Sequence, residues 1–295
     1  MMISFFNFQF GEFTDVSPNW FDWFSICVTS LSIFAAFLIA ENIYSKGKRD
    51  KKESDKNLIA SENDLFENNL NELKESIGVQ ITHLKEYLVE KDFKLKINPA
   101  LQVNFLQFID IKCLYLNFPN NQQKKEKINS LLTSLYGMYD FKDNLISELR
   151  NYTKKHNEFQ VKFKKYREIY YKKFHDYSNL RAIDIKEEAG VKKWRYNVDD
   201  KFMNEFAKLR LVSIANDENS ADRKKIDENF LLPLIYLSNN FIPEDYHAIE
   251  TNYISNDCHA SYLDIENLNE SHFKSMESYL KVLKDLKTEI EAYKK

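Results

Sequence analysis

Small and polar side chains recur at regular intervals inside the one strongly apolar stretch of this sequence. The run from Phe21 to Ala40 is twenty residues long and contains a single charged residue. Steps of three and four residues place five side chains on one face of a helix, and we name this face the pore stripe: Asp22, Ser25, Thr29, Ser32 and Ala36. Around a symmetry axis shared by several copies, such a face would either pack helices tightly or line a narrow aqueous pore. In a pore, the acidic ring at its mouth would favour cations.

A second candidate for chemistry is the pair Arg150 and His156, in the sequence RNYTKKH. This spacing resembles the Arg-x4–6-His signature of HEPN ribonucleases, and Asn151 agrees with that pattern as well. The resemblance implies a catalytic pair that cleaves RNA at a dimer interface. On a regular helix, however, a six-residue separation turns the two side chains about 120° apart. His156 also falls on a stripe of aromatic residues, which is typical of a core or interface histidine.

Two segments interleave basic with aromatic residues, a pattern with which proteins stack bases and hold phosphates. Residues 162–174, KFKKYREIYYKKF, are also typical of an aromatic core stripe with a solvated basic face. Residues 192–196, KKWRY, lie where the helical period breaks, and we predict a loop or an excursion over residues 178–200. A tryptophan in a basic loop has no evident core role. The predicted ligand-binding residues are therefore Lys192, Lys193, Trp194 and Arg195.

The sequence lacks the motifs of nucleotide and metal chemistry. Its five glycines are scattered and form no phosphate loop, and its six histidines share no metal-ligand spacing. Cys27, Cys113 and Cys258 have no paired spacing. We therefore predict no cofactor, no metal site and no disulfide. A net charge of −3 implies no bulk attraction to nucleic acid, so any anion site must come from a local cluster.

Composition favours long helices as the elements that position these residues. Only five glycines and five prolines interrupt 295 residues rich in lysine, glutamate, leucine and aromatics, which predicts an all-α fold. The apolar period predicts helices over 122–177 and 201–215, and a final helix capped by Ser271. Four regions follow: an extracytoplasmic segment (1–19), a transmembrane helix (20–45), a basic junction with an amphipathic helical stalk (46–97), and a cytoplasmic helical sensor domain (98–295).

The apolar run is long enough to cross a bilayer, because twenty helical residues span about 30 Å. No basic residue precedes the run, whereas a signal peptide begins with a basic region. Basic residues follow it, and such residues stay on the cytoplasmic side: Lys46, Lys48, Arg49, Lys51, Lys52 and Lys56. We therefore predict a single pass with the N-terminus outside and the C-terminal domain in the cytoplasm.

Apolar residues after the basic junction follow a nearly heptad spacing. The members of this seam are Phe66, Leu70, Leu73, Ile77, Ile81, Leu84 and Leu88. The spacing predicts an amphipathic helix that continues from the membrane. A coiled-coil stalk between copies and packing within one chain both produce this pattern.

The layout of a short outer segment, one span, a stalk and a helical body resembles the single-pass membrane effectors of bacterial antiphage defence. It is most similar to the Hailong effectors, with WFDWFSICVTSLSIFAAFLIAENIYSK corresponding to the channel part. The resemblance implies location in the bacterial inner membrane. It also implies a cytoplasmic crown that binds a single-stranded DNA oligomer made by a partner nucleotidyltransferase, with the bound DNA holding the effector inactive.

Taken together, the sequence predicts a homo-oligomeric, single-pass, all-helical ion-channel effector that is not an enzyme. A ligand of the cytoplasmic domain, expected to be an oligonucleotide, would control the pore. Two alternatives stay open. One is a membrane-anchored HEPN-like ribonuclease that uses Arg150 and His156, and the other is a non-enzymatic membrane scaffold that uses the span as an anchor.

Overall fold

The computed structural model describes residues 20–91, 94–188, 190–215 and 222–294. The chain is 81% helical with only 5% strand, which confirms the predicted all-α class. The predicted extracytoplasmic segment, residues 1–19, lies outside the described residues.

Helix α1 is one uninterrupted helix of 71 residues, Trp20–Glu90. It contains no proline and continues from the apolar run through the basic junction without a break. Every residue from Trp20 to Leu58 is exposed, and this part is long and apolar enough to cross a membrane. The helix ends where Lys91 adopts a left-handed conformation, with φ of 49°, and its N–H donates to the carbonyl of Tyr87 at 2.8 Å.

The chain divides into two compact units, and α1 contributes to both. The first unit comprises residues up to Glu67 together with Ile109–Asn121, and the second comprises Asn68–Phe108 and Gln122–Lys295. Within the first unit, the short helix α2 (Ile111–Leu116) begins at Asp110, whose carboxylate accepts the N–H of Lys112 at 2.9 Å. The N–H of Asp110 donates to Glu62 of α1 at 3.1 Å.

The second unit is built around α9 (Tyr246–Lys294), a helix of 49 residues that contains neither glycine nor proline. Helices α3 (Gln122–Gly137) and α4 (Phe141–Phe163) pack against it. The C-terminal part of α1 also runs along α9, where Lys74 pairs with Glu291 at 3.0 Å. Five residues of the seam are buried in this unit, so packing within one chain accounts for them: Leu70, Leu73, Ile77, Ile81 and Leu84.

The predicted helix over 122–177 is divided into three helices. A turn after Gly137 separates α3 from α4, and a π-helical segment, Glu168–Lys173, precedes α5 (Phe174–Arg181). Helix α6 (Lys201–Ala215) has the predicted bounds. Two short helices, α7 (Arg223–Ile226) and α8 (Leu232–Asn239), follow it. The predicted cap at Ser271 is wrong, because α9 is continuous and Ser271 lies in its interior.

Where a loop or an excursion is predicted, over residues 178–200, most of the range forms a β-hairpin. Strand β1 (Ala182–Glu188) pairs antiparallel with β2 (Val191–Tyr196). Gly190, between the strands, has φ of 76°, a conformation that glycine adopts without strain. β-Branched and aromatic residues, which favour strands, alternate with charged residues here and so explain the broken helical period.

Candidate functional site

The five residues of the pore stripe lie on the exposed part of α1, where the helix is continuous. Thr29 Oγ1 donates to the carbonyl of Ser25 at 2.7 Å, and Ser32 Oγ donates to the carbonyl of Val28 at 2.8 Å. These bonds satisfy the hydroxyl donors within the helix, while lone pairs on the hydroxyl oxygens stay available to water. The stripe is therefore compatible with both tight helix packing and an aqueous pore, the alternatives that its spacing left open.

Arg150 and His156 both lie on α4, but they face different depressions of the surface. Arg150 is exposed and lines a shallow depression together with Lys154. His156 is only 6% exposed and lines a separate cleft together with Arg223. Within one chain the two side chains therefore do not converge on a common phosphate, in agreement with the helical geometry.

The four predicted ligand-binding residues lie on β2, where three of them are exposed cations. The adjacent strand β1 places acidic residues beside them. Glu187 is opposite Lys192, Asp184 is opposite Arg195, and Lys193 Nζ lies 2.5 Å from Glu188 Oε2. Neighbouring carboxylates weaken the attraction of such a cluster for a polyanion. The basic charge is therefore partly compensated.

Trp194 has a structural role that the sequence did not reveal. Its indole Nε1 donates to Asn179 Oδ1 at 3.0 Å, and its ring meets the rings of Phe174 and His175 edge-on. The side chain is half-buried against α5. Trp194 thus fixes the hairpin to the helical body, which corrects the expectation that it has no core role.

A cleft of about 880 Å³ lies between α4 and α9. Small-molecule sites in proteins commonly measure about 300–1,000 Å³. Cations and carboxylates line its walls in equal number: Lys91, Arg223, Lys274, Glu266, Glu270 and Glu277. We call this site the α4–α9 cleft.

An ordered polar network supports the floor of this cleft. The imidazole of His272, which is buried, lies 3.2 Å from Glu148 Oε1 through Nδ1 and 2.8 Å from the Tyr87 hydroxyl through Nε2. A carboxylate only accepts hydrogen bonds, so Nδ1–H donates to Glu148 and the Tyr87 hydroxyl donates to Nε2. The ring of His272 stacks on Tyr152, with centroids 3.7 Å apart, and the Tyr152 hydroxyl donates to Asn269.

Beside Arg223 in the α4–α9 cleft, His156 contributes no positive charge near neutral pH. Burial lowers the pKa of His156, and the adjacent guanidinium of Arg223 lowers this pKa further. Arg223 Nη1 donates to Gln160 Oε1 at 2.6 Å, and within the described ranges the guanidinium forms no ion pair. Among the described residues its other N–H groups have no bonded acceptor, so they can donate to an anionic group beside the neutral imidazole, which is a further hydrogen-bonding partner. The arrangement is suited to binding a charged ligand.

The sequence did not reveal this cleft, because the cleft requires the pairing of two helices that are distant along the chain. Each helix does carry a regular spacing on the side toward the cleft. On α4, Glu148, Tyr152 and His156 recur every four residues. On α9, Glu266, Glu270 and Glu277 follow steps of four and seven, which also defines one face. Neither period indicates which helix lies opposite.

A partly buried ion-pair network occupies another part of the second unit. Arg181 at the end of α5 contacts Asp200 through Nη2 and Asp245 through Nη1, each at 2.6 Å. Asp200 precedes α6 and Asp245 precedes α9, so the network joins the ends of three helices. Among the described residues, no group of three or more histidine, cysteine, aspartate or glutamate side chains is arranged to hold a metal ion.

The structure thus separates three candidate sites: the pore stripe on α1, the hairpin cations and the α4–α9 cleft. The residues of the first site share one helix face, as predicted. The hairpin cations share one strand, and the cleft unites residues that lie far apart in the sequence. No family model, curated protein or solved structure matches this chain.

Proposed function

We propose that this chain is a homo-oligomeric ion-channel effector of bacterial antiphage defence. The observation that carries the proposal is the apolar part of α1, whose side chains are all exposed among the described residues. A lipid bilayer is the environment that a twenty-residue apolar helix of this kind requires. The basic residues after the run favour the inner membrane with the N-terminus outside.

The pore stripe supports conduction as the role of the span. In an oligomer the opposite face, which includes Phe24, Leu31 and Phe34, would meet lipid, while the stripe would turn toward the axis. Hydroxyl oxygens and a ring of Asp22 carboxylates would then line the path of a cation. In a membrane scaffold that uses the span only as an anchor, such a polar face would serve only to pack helices against each other.

The α4–α9 cleft supports a sensing role for the cytoplasmic domain. Helix α1 carries the apolar run and ends at Glu90, immediately before Lys91, which lines the cleft. A ligand that favours one conformation of this end of α1 would shift the state of the pore, whereas equal affinity for both states would have no effect. The resemblance to Hailong effectors supports a single-stranded DNA oligomer, made by a partner nucleotidyltransferase, as this ligand.

The decisive experiment compares the double variant Ser25→Leu/Thr29→Leu with the matched control Phe24→Leu/Phe34→Leu, which changes the opposite face of the same helix. The readouts are growth arrest on expression and ion flux through proteoliposomes. We expect the stripe variant to lose both and the control to retain both, with unchanged oligomers in native mass spectrometry. Wild-type toxicity and flux in an intact oligomer of the stripe variant would refute conduction through this face.

A further inference from the structure

The hairpin β1–β2 presents two open edges. Its sheet has only these two strands among the described residues, so each strand has one bonded neighbour and one free side. At the start of β1 the N–H of Ala182 donates to the carbonyl of Ser178 in α5, and within the described ranges no other backbone group from outside the hairpin is bonded to β1 or β2. Side chains around the hairpin are mostly exposed, and they include Ile183, Ile185 and Val191, the last at 60%. An exposed edge of this kind is a template for pairing with another strand.

The two edges carry opposite charge. β1 bears Asp184, Glu187 and Glu188 with one lysine, and β2 bears Lys192, Lys193 and Arg195 with no acid. Within the hairpin only Lys193 and Glu188 form an ion pair. The other four charged groups, Asp184, Glu187, Lys192 and Arg195, have no ion-pair partner among the described residues. Their charge remains available to a partner strand.

We propose that the hairpin is a homotypic assembly surface, on which β1 of one copy pairs with β2 of the next. Pairing β1 with a second β1 would place carboxylates opposite carboxylates, and pairing β2 with β2 would oppose cations, both of which are unfavourable. Pairing β1 with β2 places opposite charges across the new ladder. Such a head-to-tail contact is heterologous, and it closes into a ring when repeated around an axis.

The inference rests on the homo-oligomer of the proposed function and names the interface that would build it. The partner is a second copy of this chain, because charge complementarity is met by the chain's own two strands. If the charges served only to prevent aggregation, charge of either sign on each strand would be sufficient. Opposite signs on the two strands would not be needed. The exposed isoleucines and valine would gain burial in the same contact.

The test uses the quadruple variant Asp184→Lys/Glu187→Lys/Lys192→Glu/Arg195→Glu. Because both strands are reversed, complementarity within each hairpin is kept, and the variant should fold and assemble like the wild type. When differently tagged wild-type and variant full-length chains are co-expressed, every mixed contact opposes like charges. We expect native mass spectrometry in low salt to show mixed oligomers about tenfold below the statistical proportion. A control that reverses Lys281 and Lys284 on α9 to glutamate should mix freely.

A second pair of variants tests whether β1 of one copy pairs with β2 of the next. Lys192→Glu/Arg195→Glu makes both strands acidic, and Asp184→Lys/Glu187→Lys makes both strands basic. Each alone should lose the wild-type oligomer, and an equal mixture should restore an oligomer that contains both chains. Free mixing of the quadruple variant with the wild type would overturn the inference while leaving channel activity intact. Loss of flux in the Ser25→Leu/Thr29→Leu variant bears on the pore alone, so the two failures are distinguishable.

Discussion

At the scale of single residues, the second unit holds two histidines in their neutral form by burial. His156 is buried beside Arg223, and burial with this nearby cation lowers its pKa. His272 is buried against Tyr152, and burial lowers its pKa although the carboxylate of Glu148 acts in the opposite direction. Both imidazoles therefore act as hydrogen-bonding groups, not as charges, near neutral pH.

These lowered pKa values predict a loss of stability in mild acid. The unfolded chain protonates its histidines below pH 6.5, the ordinary value, whereas the folded chain resists protonation. Protonation thus favours the unfolded state, and the stabilisation is complete above pH 6.5 and declines as the pH falls. Urea unfolding between about pH 5 and 8 should show this decline, and His156→Gln should reduce its slope. An unchanged slope would show that His156 titrates normally in the folded protein.

The contribution of Arg223 to the lowered pKa of His156 can be tested separately. Arg223→Gln removes the cation that disfavours protonation of His156, so the pKa of His156 should rise toward its ordinary value. Histidine C–H signals in an NMR pH titration report this shift, and the His156→Gln spectrum assigns the resonance. Lys274→Gln, which removes another cation that lines the cleft, is the matched control and should move the resonance less. Equal effects of both variants would argue against direct coupling between Arg223 and His156.

Arg181 is predicted to be important for stability, since its two carboxylate partners are mostly shielded from water. Removing one member of such a network leaves the other charges unpaired, and Arg181→Ala should cost about 2–4 kcal/mol in the free energy of unfolding. The exposed pair Lys208–Glu205 is the control, and Lys208→Ala should cost less than about 1 kcal/mol. Similar costs for the two variants would contradict the buried character of the Arg181 network.

At the scale of elements, the sequence predicts periodic helices well and their interruptions poorly. The bounds of α6 were predictable because apolar residues recur along it, and the continuity of α1 was predictable because no proline interrupts the basic junction between the apolar run and the seam. The hairpin was missed because a short pair of strands with alternating charge loses the helical period in the same way as a loop. The false cap at Ser271 has a different cause: serine is favoured at caps but is also tolerated at exposed positions within a helix, and only the packing of α9 distinguishes the two.

The burial of the seam predicts that α1 packs against helices of its own chain. Leu84 is fully buried within one chain, so Leu84→Ala should destabilise the second unit by about 2–5 kcal/mol. This cost should be independent of protein concentration, because no second copy is required. Val89→Ala, at a position 83% exposed on the same helix, should have little effect. Thermal unfolding at several protein concentrations measures both, and a concentration-dependent loss in Leu84→Ala would indicate a coiled coil between copies.

At the scale of the whole molecule, one helix connects chemically different parts of the chain. The first part of α1 is apolar and exposed, the next is basic and exposed, and the last is buried in the second unit. This order of apolar, basic and packed segments was readable from the sequence, because each segment differs in composition. The α4–α9 cleft was not readable, since it depends on long-range pairing of helices that no local pattern specifies.

The same order predicts the topology of the chain in the membrane. Ser54 lies in the exposed basic junction of α1, directly after the residues that the positive-inside rule keeps in the cytoplasm. In a Cys27→Ala background, Ser54→Cys should resist a membrane-impermeant thiol reagent in intact spheroplasts and react after lysis. The native Cys113 and Cys258 are buried, and burial raises the pKa of Cys258 to about 12, so both should react slowly. Labelling of Ser54→Cys in intact spheroplasts would place the second unit outside and exclude a cytoplasmic ligand as the trigger of the pore.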